Sequence, residues 1–436
     1  MSGAPPSPPD GPSGESGIAT APEAPRDSTL TEPTGDGSAP AEPRRAGVVG
    51  ASGILGGELL RLLLGHPSLE LEYVSAQSRA GRPATELNPH LRDTGLGDFE
   101  AFDARVAAKR CDVVFLATPP EIAGRAVPEL LDAGAGLVVD LSPAYRVLDP
   151  DLHRAWYADV ERDQDVAEAA AYGLPELSAG AGAGGARIGR DAIRAARVVA
   201  APGCFATAIL LAALPLRDVE GISFDAIAID GKSGSTGSGA RLRESGSHTW
   251  RSNVVAPYGP RGHRHVAEVS EALAAAGVFA GPRTAGAAPR SPDDESCGPE
   301  PRNHSSNGRR PPRLGMSVYG VDLVRGLSVG LYSFFDGELD ERTLRRAYHR
   351  AYRDERFVRV QTGRGSALPL PDPKAVIGSN NCDVAGFVDE AAGRLVAIAA
   401  IDNVVKGGAG QAIQAANVAL GLPEDAGLAA IPVFPV

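Results

Sequence analysis

The run Gly50-Ala-Ser-Gly53-Ile-Leu-Gly56-Gly57-Glu58 directly follows a strand-like segment, Ala46–Val49, and opens a helical one, Gly56–Leu64. Glycines let a chain leave a strand in a sharp turn and bring its backbone close to a pyrophosphate, whose charge then faces the helix N-terminus. The spacing is GxxGxxG, not the GxGxxG of many dinucleotide enzymes. A tight turn without a ligand would use the same residues. The order strand, glycine loop, helix favours a binding loop and makes Gly50, Ser52, Gly53, Ile54 and Gly56 candidate cofactor contacts.

The alternation continues. Leu69–Ser75, Cys111–Ala117 and Gly136–Leu141 read as strands, and Glu121–Ala133 reads as a helix. Repeated βαβ units predict a parallel sheet with crossover helices, an α/β Rossmann-like doubly wound domain. From Phe224 the pattern changes. Strand-like runs at Phe224–Asp230, Met316–Val324, Ser328–Phe335 and Leu395–Ile401 are joined by longer segments and hairpin-like turns, which predicts an α+β domain with a mixed or antiparallel sheet. The expected divisions are a tail at 1–44, a dinucleotide-binding domain at 45–203 and an α+β domain at 204–408. The segment 409–436, with helical periodicity over Gly410–Leu420, is expected to pack with the first domain.

At 436 residues, 43% hydrophobic and 22% charged, the chain can bury two cores. No uninterrupted apolar run approaches the roughly 18 residues of a membrane span. A net charge of −11 argues against nucleic acid as a partner but leaves room for a local cationic pocket around a small phosphorylated ligand. Residues 1–44 hold Pro, Gly, Ser, Ala and acidic residues, too little apolar surface to offset chain ordering, so a disordered tail is expected. It lacks the basic amphipathic pattern of a transit peptide. Residues 281–313 read as a surface insertion, and 178–185 as an Ala/Gly run. Cys111, Cys204, Cys297 and Cys382 are isolated, with no CxxC, HExxH or secretory signal, so a reduced cytoplasmic protein without a metal site is expected.

Four segments carry chemistry. In Val198–Ala208 an apolar strand stops at Pro202-Gly203, and Cys204 follows at the start of a small-residue helix. Orphan N–H groups and the helix dipole there are expected to lower the thiol pKa. A buried small hydrophobe is the plain alternative. After the second strand, Ser78 and Arg79 stand where NAD enzymes usually place an acidic residue, which suits the 2′-phosphate of NADP. A solvated loop arginine fits equally well. Asp230-Gly-Lys232-Ser233-Gly234-Ser-Thr-Gly-Ser-Gly239 is expected to follow a strand and cradle an oxyanion, with Lys232 and Ser233 as substrate contacts. Gly262-His263-Arg264-His265 runs into a helix and offers an acid/base and, in Arg264, an anion anchor. A metal site there would lack a third ligand, and a solvated basic turn remains open.

With these residues in view, the chain resembles the N-acetyl-γ-glutamyl-phosphate reductase family of the semialdehyde-dehydrogenase group. The carriers are Gly50–Leu59, Asp140-Leu-Ser-Pro-Ala-Tyr-Arg146, Tyr172-Gly-Leu-Pro-Glu-Leu177 and Pro202–Thr207, then Lys232–Gly239, Gly262–His265, Gly378-Ser-Asn-Asn-Cys382 and Ile401–Gln411. The resemblance implies Cys204 as nucleophile, a histidine of the HRH block (His265, with His263 second) as acid/base, and Asn403 near the nicotinamide. It implies a homo-oligomer and NADPH-dependent reduction of N-acetylglutamyl 5-phosphate to the semialdehyde plus phosphate, through a cysteine thioester. Ser247–Arg251 and Val324-Arg325-Gly326 look instead like the branch acting on glutamate or 2-aminoadipate attached to an amino-group carrier protein. The Gly378–Cys382 block looks like the arginine-pathway branch. An aspartate-semialdehyde-type dehydrogenase and a non-catalytic NADP-binding regulator are the remaining alternatives.

Overall fold

A computed structural model describes residues 42–179, 187–219, 223–240, 248–260, 262–278, 283–284, 312–363 and 368–436. The tail, the Ala/Gly run from residue 180, and nearly all of the 281–313 segment with Cys297 and His304 lie outside the described residues.

Six strands, β1 (Arg44–Val49), β2 (Leu69–Ser75), β3 (Val113–Leu116), β4 (Leu137–Asp140), β5 (Ala171–Tyr172) and β6 (Val198–Ala200), form a sheet in the order β2-β1-β3-β4-β6-β5. Every pair is parallel. Side chains alternate across a strand, so each strand feeds two cores. Val48, Phe115 and Val139 meet helix α1 (Ile54–Leu63) on one face. Val49, Val114 and Val138 meet α2 (Pro120–Asp132) on the other. The third strand starts two residues later than its apolar run suggested, because Cys111 closes the helix Ala104–Arg110.

In the second sheet β7 (Ala226–Ser233), β8 (Arg313–Val321), β9 (Leu327–Asp336), β10 (Cys382–Asp389) and β11 (Arg394–Ile401) are long. Their order is β8-β7-β9-β11-β10, with four short strands added around them. The sheet is mixed: β7 and β8 are parallel, while β9 and β11 are antiparallel neighbours. Helix α3 (Cys204–Ala213) is buried along its whole length except at Cys204. A helix apolar all round belongs inside a core, and this one lies with the second sheet, α4 (His265–Ala275) and α5 (Glu341–Tyr352) in a single cluster. Helix α6 (Gly410–Leu420) returns to the first sheet, where Ile413 and Ala416 share a cluster with Val48 and Leu59.

Glu58 joins the two sheets' loops. It is buried on α1 and bonded to Arg61 and to Arg325 from the β8–β9 connection, each at 2.7 Å. Burial alone would raise its pKa, but the two guanidiniums outweigh that and hold it at about 2. The folded pKa lies below the unfolded one. The stabilisation is therefore complete above the ordinary glutamate range and is lost as pH falls toward 2. It amounts to on the order of 3 kcal/mol. Glu58→Gln is expected to melt earlier than the parent at pH 7, with the gap closing in melts at successively lower pH. A gap independent of pH would refute this.

Candidate active site

A parallel sheet carries the carboxyl ends of all its strands on one edge. That edge holds the glycine loop after β1, Gln77–Arg79 after β2, Leu141–Ser142 after β4, and Pro202-Gly203-Cys204 after β6. The ends of β1 and β6 are three strand spacings apart, roughly 14 Å. A dinucleotide laid along the edge from the glycine loop thus runs toward Cys204.

The glycine loop has the form expected of it. Gly50 has φ +83°, and a Cβ there would lie 2.5 Å from the Ala117 carbonyl oxygen. Gly53 precedes α1 without any side-chain cap, leaving first-turn N–H groups open to an anion. A Cβ on Gly56 would strike the Gly50 carbonyl oxygen at 2.4 Å, so a glycine lets the helix pack against its own loop. Ser52 and Ile54 are half-buried in this turn, while Ser78 is exposed and Arg79 half-buried beyond β2. The residues present fit a nicotinamide dinucleotide.

Cys204 is the first residue of α3, with Gly203 as an N-cap that contributes no side-chain bond. The first N–H to bond within the helix is that of Thr207, which donates to the Gly203 carbonyl at 2.8 Å. The N–H groups of Cys204, Phe205 and Ala206 precede it. His265 is buried and packs on this turn: its Nε2 lies 2.5 Å from where a Gly203 Cβ would be. The His263 and His265 rings meet edge to face at 4.6 Å, and His263 Nδ1 accepts a long bond from the His265 backbone N–H. Arg264 is exposed, and its charge acts on Cys204, Tyr258 and both histidines.

The electrostatics correct one expectation. Burial pushes the Cys204 thiol up, more than Arg146, the first-turn N–H of Phe205 and Arg264 bring it down. Burial likewise pushes His265 well below the usual imidazole range, helped by His263, and takes His263 down to about 4. At neutral pH the free protein therefore holds a thiol beside a neutral imidazole, not a standing thiolate.

Three residues around Cys204 were not singled out from the sequence as site residues. Glu268 Oε1 accepts from the Gly203 N–H at 2.8 Å and from the Tyr172 hydroxyl at 2.8 Å. Arg146 binds the carbonyls of Ala201 and Leu141, with Nη1 3.7 Å from Glu268 Oε2. These bonds fix the Pro-Gly-Cys turn. The available signal was Glu268 lying one helical turn after His265, and Arg146 and Tyr172 within quoted motifs.

Other expectations move. The stretch from Asp230 to Ser233 belongs to β7 itself, and only Gly234 onward is loop. Gly231 faces Phe205 of α3, so strand alternation places Lys232 on the opposite face of the sheet, ion-paired to Asp230 at 2.6 Å. Ser233 is buried and donates to the Gly234 carbonyl. The loop N–H groups of Gly234, Ser235 and Thr236 donate to carbonyls of Gly326, Leu323 and Val324, so they do not form an open anion cradle. Asn403 is buried, its amide joining the Gly326 N–H at 2.8 Å to Thr236 at 3.0 Å. It supports the loops near the cofactor edge through protein partners.

The last element at the site is Val405–Ala409, a π-helical turn absent from the sequence expectations. A Cβ on Gly407 would lie 2.6 Å from the Cys204 Cβ, and one on Gly408 would lie 2.5 Å from Leu55 of α1. Two consecutive glycines thus touch the cysteine and the helix that opens from the glycine loop.

A sheet edge built for a nicotinamide dinucleotide, with a helix-start cysteine and two histidines at its far end, defines the class as an oxidoreductase. Residues 45–183 match the semialdehyde dehydrogenase NAD-binding domain, and residues 204–281 and 299–403 match the semialdehyde dehydrogenase dimerisation domain. The chain belongs to the semialdehyde dehydrogenase family, in its N-acetyl-γ-glutamyl-phosphate reductase-type branch. It is 34% identical over 393 residues to the [LysW]-L-2-aminoadipate/[LysW]-L-glutamate phosphate reductase of Saccharolobus solfataricus, covering 90% of this chain and 98% of that one. It is 33% identical over 392 residues to the protein of the same description from Sulfolobus acidocaldarius, covering 90% and 99%. Among solved structures, aspartate semialdehyde dehydrogenase II of Vibrio cholerae superposes with a TM-score of 0.58 at 13% identity, over 87% of this chain and 99% of that one. That likeness shows the fold. A nicotinamide dinucleotide is the cofactor such a first domain serves. Among the described residues, no helix is long and apolar enough to cross a membrane.

Proposed function

We propose that the protein is an NADPH-dependent reductase of an acyl phosphate carried on a small amino-group carrier protein. The substrate would be 2-aminoadipate 6-phosphate or glutamate 5-phosphate, and the products the semialdehyde and phosphate. The contact of His265 with the turn that presents Cys204 carries the chemical part of this reading. The relatives at 33 and 34% identity, named for LysW-linked substrates, support the carrier-linked substrate over the N-acetylated one. The Gly378–Cys382 block, which pointed to the N-acetylated substrate, is buried at Ser379, Asn380 and Cys382, and Asn380 donates to Gln414. A block engaged with the fold in this way says little about a substrate.

In the proposed reaction His265 takes the Cys204 proton as the sulfur attacks the acyl carbon, forming a thioester as phosphate leaves. The free N–H groups at the start of α3 receive the developing oxyanion. Arg264, exposed beside the cysteine, draws the anionic substrate. NADPH held at the glycine loop would supply a hydride to the thioester carbon, and His265 returns its proton to the Cys204 sulfur as the aldehyde departs. The Ser78–Arg79 turn, with no carboxylate, favours the 2′-phosphate. Lys232 and Ser233 have no part in this reading.

We place the enzyme in the cytoplasm, in keeping with free thiols at Cys111, Cys204 and Cys382. We also read it as a homo-oligomer, since Tyr332 and Phe334 stand exposed on β9 within the domain matching the family's dimerisation domain. The test runs the reaction backward with NADP, phosphate and either the carrier-linked or the N-acetylated semialdehyde. Turnover is expected with the carrier-linked aldehyde, with kcat/KM at least about a hundredfold higher than with the other. Preference for the N-acetylated aldehyde would overturn the substrate assignment, and no turnover with either would overturn the activity.

A further inference from the structure

A fully buried ion pair has its lysine within the π-turn, one residue before the glycine that lies against the cysteine. The Lys406 ammonium donates to Glu176 Oε1 at 2.6 Å and to Gln414 Oε1 at 2.7 Å, and neither charged side chain has any exposed surface. Gln414 in turn donates to Glu176 at 2.9 Å, and Asn380 donates to Gln414 at 2.8 Å. One helical turn back from Gln414, Gln411 donates to the Gly173 carbonyl at 2.8 Å. The polar side chains of the π-turn and of α6 therefore hold the Gly173–Leu177 loop from two points.

Burial of such a pair is not a cheap route to stability. The desolvation of two charges offsets most of their attraction, and well-packed neutral residues of similar size serve as well or better. What the pair does provide is a fixed geometry, since an ammonium held by a carboxylate and an amide oxygen has one productive position. Lys406 fixes Gly407 and Gly408, whose backbones lie against the Cys204 Cβ and Leu55 respectively. Single-turn π insertions are found where a helix must adopt a special local geometry at a site. A regular helix over these residues would rotate the two glycines away from both contacts.

We propose that Lys406 and Glu176 are positioning residues. They hold the Gly407-Gly408 turn in the register that sets the separation of the cofactor loop from the Cys204 thiol. The proposal rests on the reading of Cys204 as the nucleophile, but not on the identity of the acyl group. Neither side chain touches the reacting atoms.

The test uses the full chain in two forms, Glu176→Gln and the double variant Lys406→Met with Glu176→Gln, which removes both charges at similar volume. Three quantities are compared with the parent: thermal unfolding, the rate of Cys204 alkylation by iodoacetamide at pH 8.5, and steady-state turnover. The double variant is expected to melt at or above the parental temperature. Its Cys204 should be alkylated at least about fivefold faster as the turn drifts from the thiol. Its kcat should fall at least about tenfold with both KM values within twofold. Alkylation needs no substrate, so it reports on the turn even if the proposed acyl phosphate is wrong. A folded double variant with alkylation and kcat within twofold of the parent overturns the proposal. So does loss of folding in both variants, which would make the pair a structural support only.

Discussion

Cys204→Ser is expected to lower kcat for acyl-phosphate reduction at least about a thousandfold, the scale on which loss of a nucleophile acts, while the protein still binds the dinucleotide and melts normally. A serine hydroxyl fits the space of the thiol at the start of α3, so the fold has no reason to change. A serine is, however, a far weaker nucleophile, and an oxygen ester is less readily reduced than a thioester. The same exchange at Cys111 or Cys382 is expected to leave kcat within about threefold, because both are buried residues of the hydrophobic cores and not part of the Pro-Gly-Cys turn. Burial pushes Cys111 up to about 12 and Cys382 higher still. The measurement is single-turnover release of phosphate from the acyl phosphate with each purified variant. Phosphate release by Cys204→Ser at near-parental rate would rule out the thioester route.

His265→Asn is the second large effect. A proton transferred in the transition state accounts for about 10² to 10⁴ in rate, so kcat is expected to fall within that range with KM changed only severalfold. His263→Asn should cost less, since the nearest atoms to a Cβ on Gly203 belong to His265 and Arg146 and not to His263. The pKa directions sharpen this. With the Cys204 thiol raised and the His265 imidazole lowered, the neutral pair dominates, and the thiolate fraction grows only as pH rises. Iodoacetamide alkylation of the free enzyme should therefore climb steadily through pH 8 and 9, without a plateau in the acid range. It should hardly change in His265→Asn even as turnover collapses. A plateau extending below pH 6, abolished by His265→Asn, would show a standing thiolate–imidazolium pair and refute the neutral pair.

Much of the architecture was legible because it is written in short-range patterns. Strand–glycine–helix at residues 46–64 needs only local sterics and an open helix N-terminus, and alternation of apolar runs with helical stretches implies a parallel sheet whatever the partners are. The edge strand Val255–Gly259 and the strand Cys382–Asp389 were not recognised, since the first is largely exposed and the second follows a motif first read for its chemistry. The anion loop was misplaced by four residues, since strand β7 continues through Asp230–Ser233 by pairing with β8 and β9. That pairing also turned Lys232 to the far face, a parity that depends on where the strand ends.

The sequence by itself determined the class of chemistry: a cofactor loop, a cysteine at a helix start and a histidine pair, each defined by neighbours within a few residues. Only the tertiary structure decided how they work together. Glu268 reaches the Gly203 N–H across 65 positions, and Lys406 reaches Glu176 across 230. The charge states of Cys204 and His265 follow from desolvation by segments remote in the chain. Desolvation and pairing depend on what surrounds a group in space, and local sequence periodicity carries little information about that.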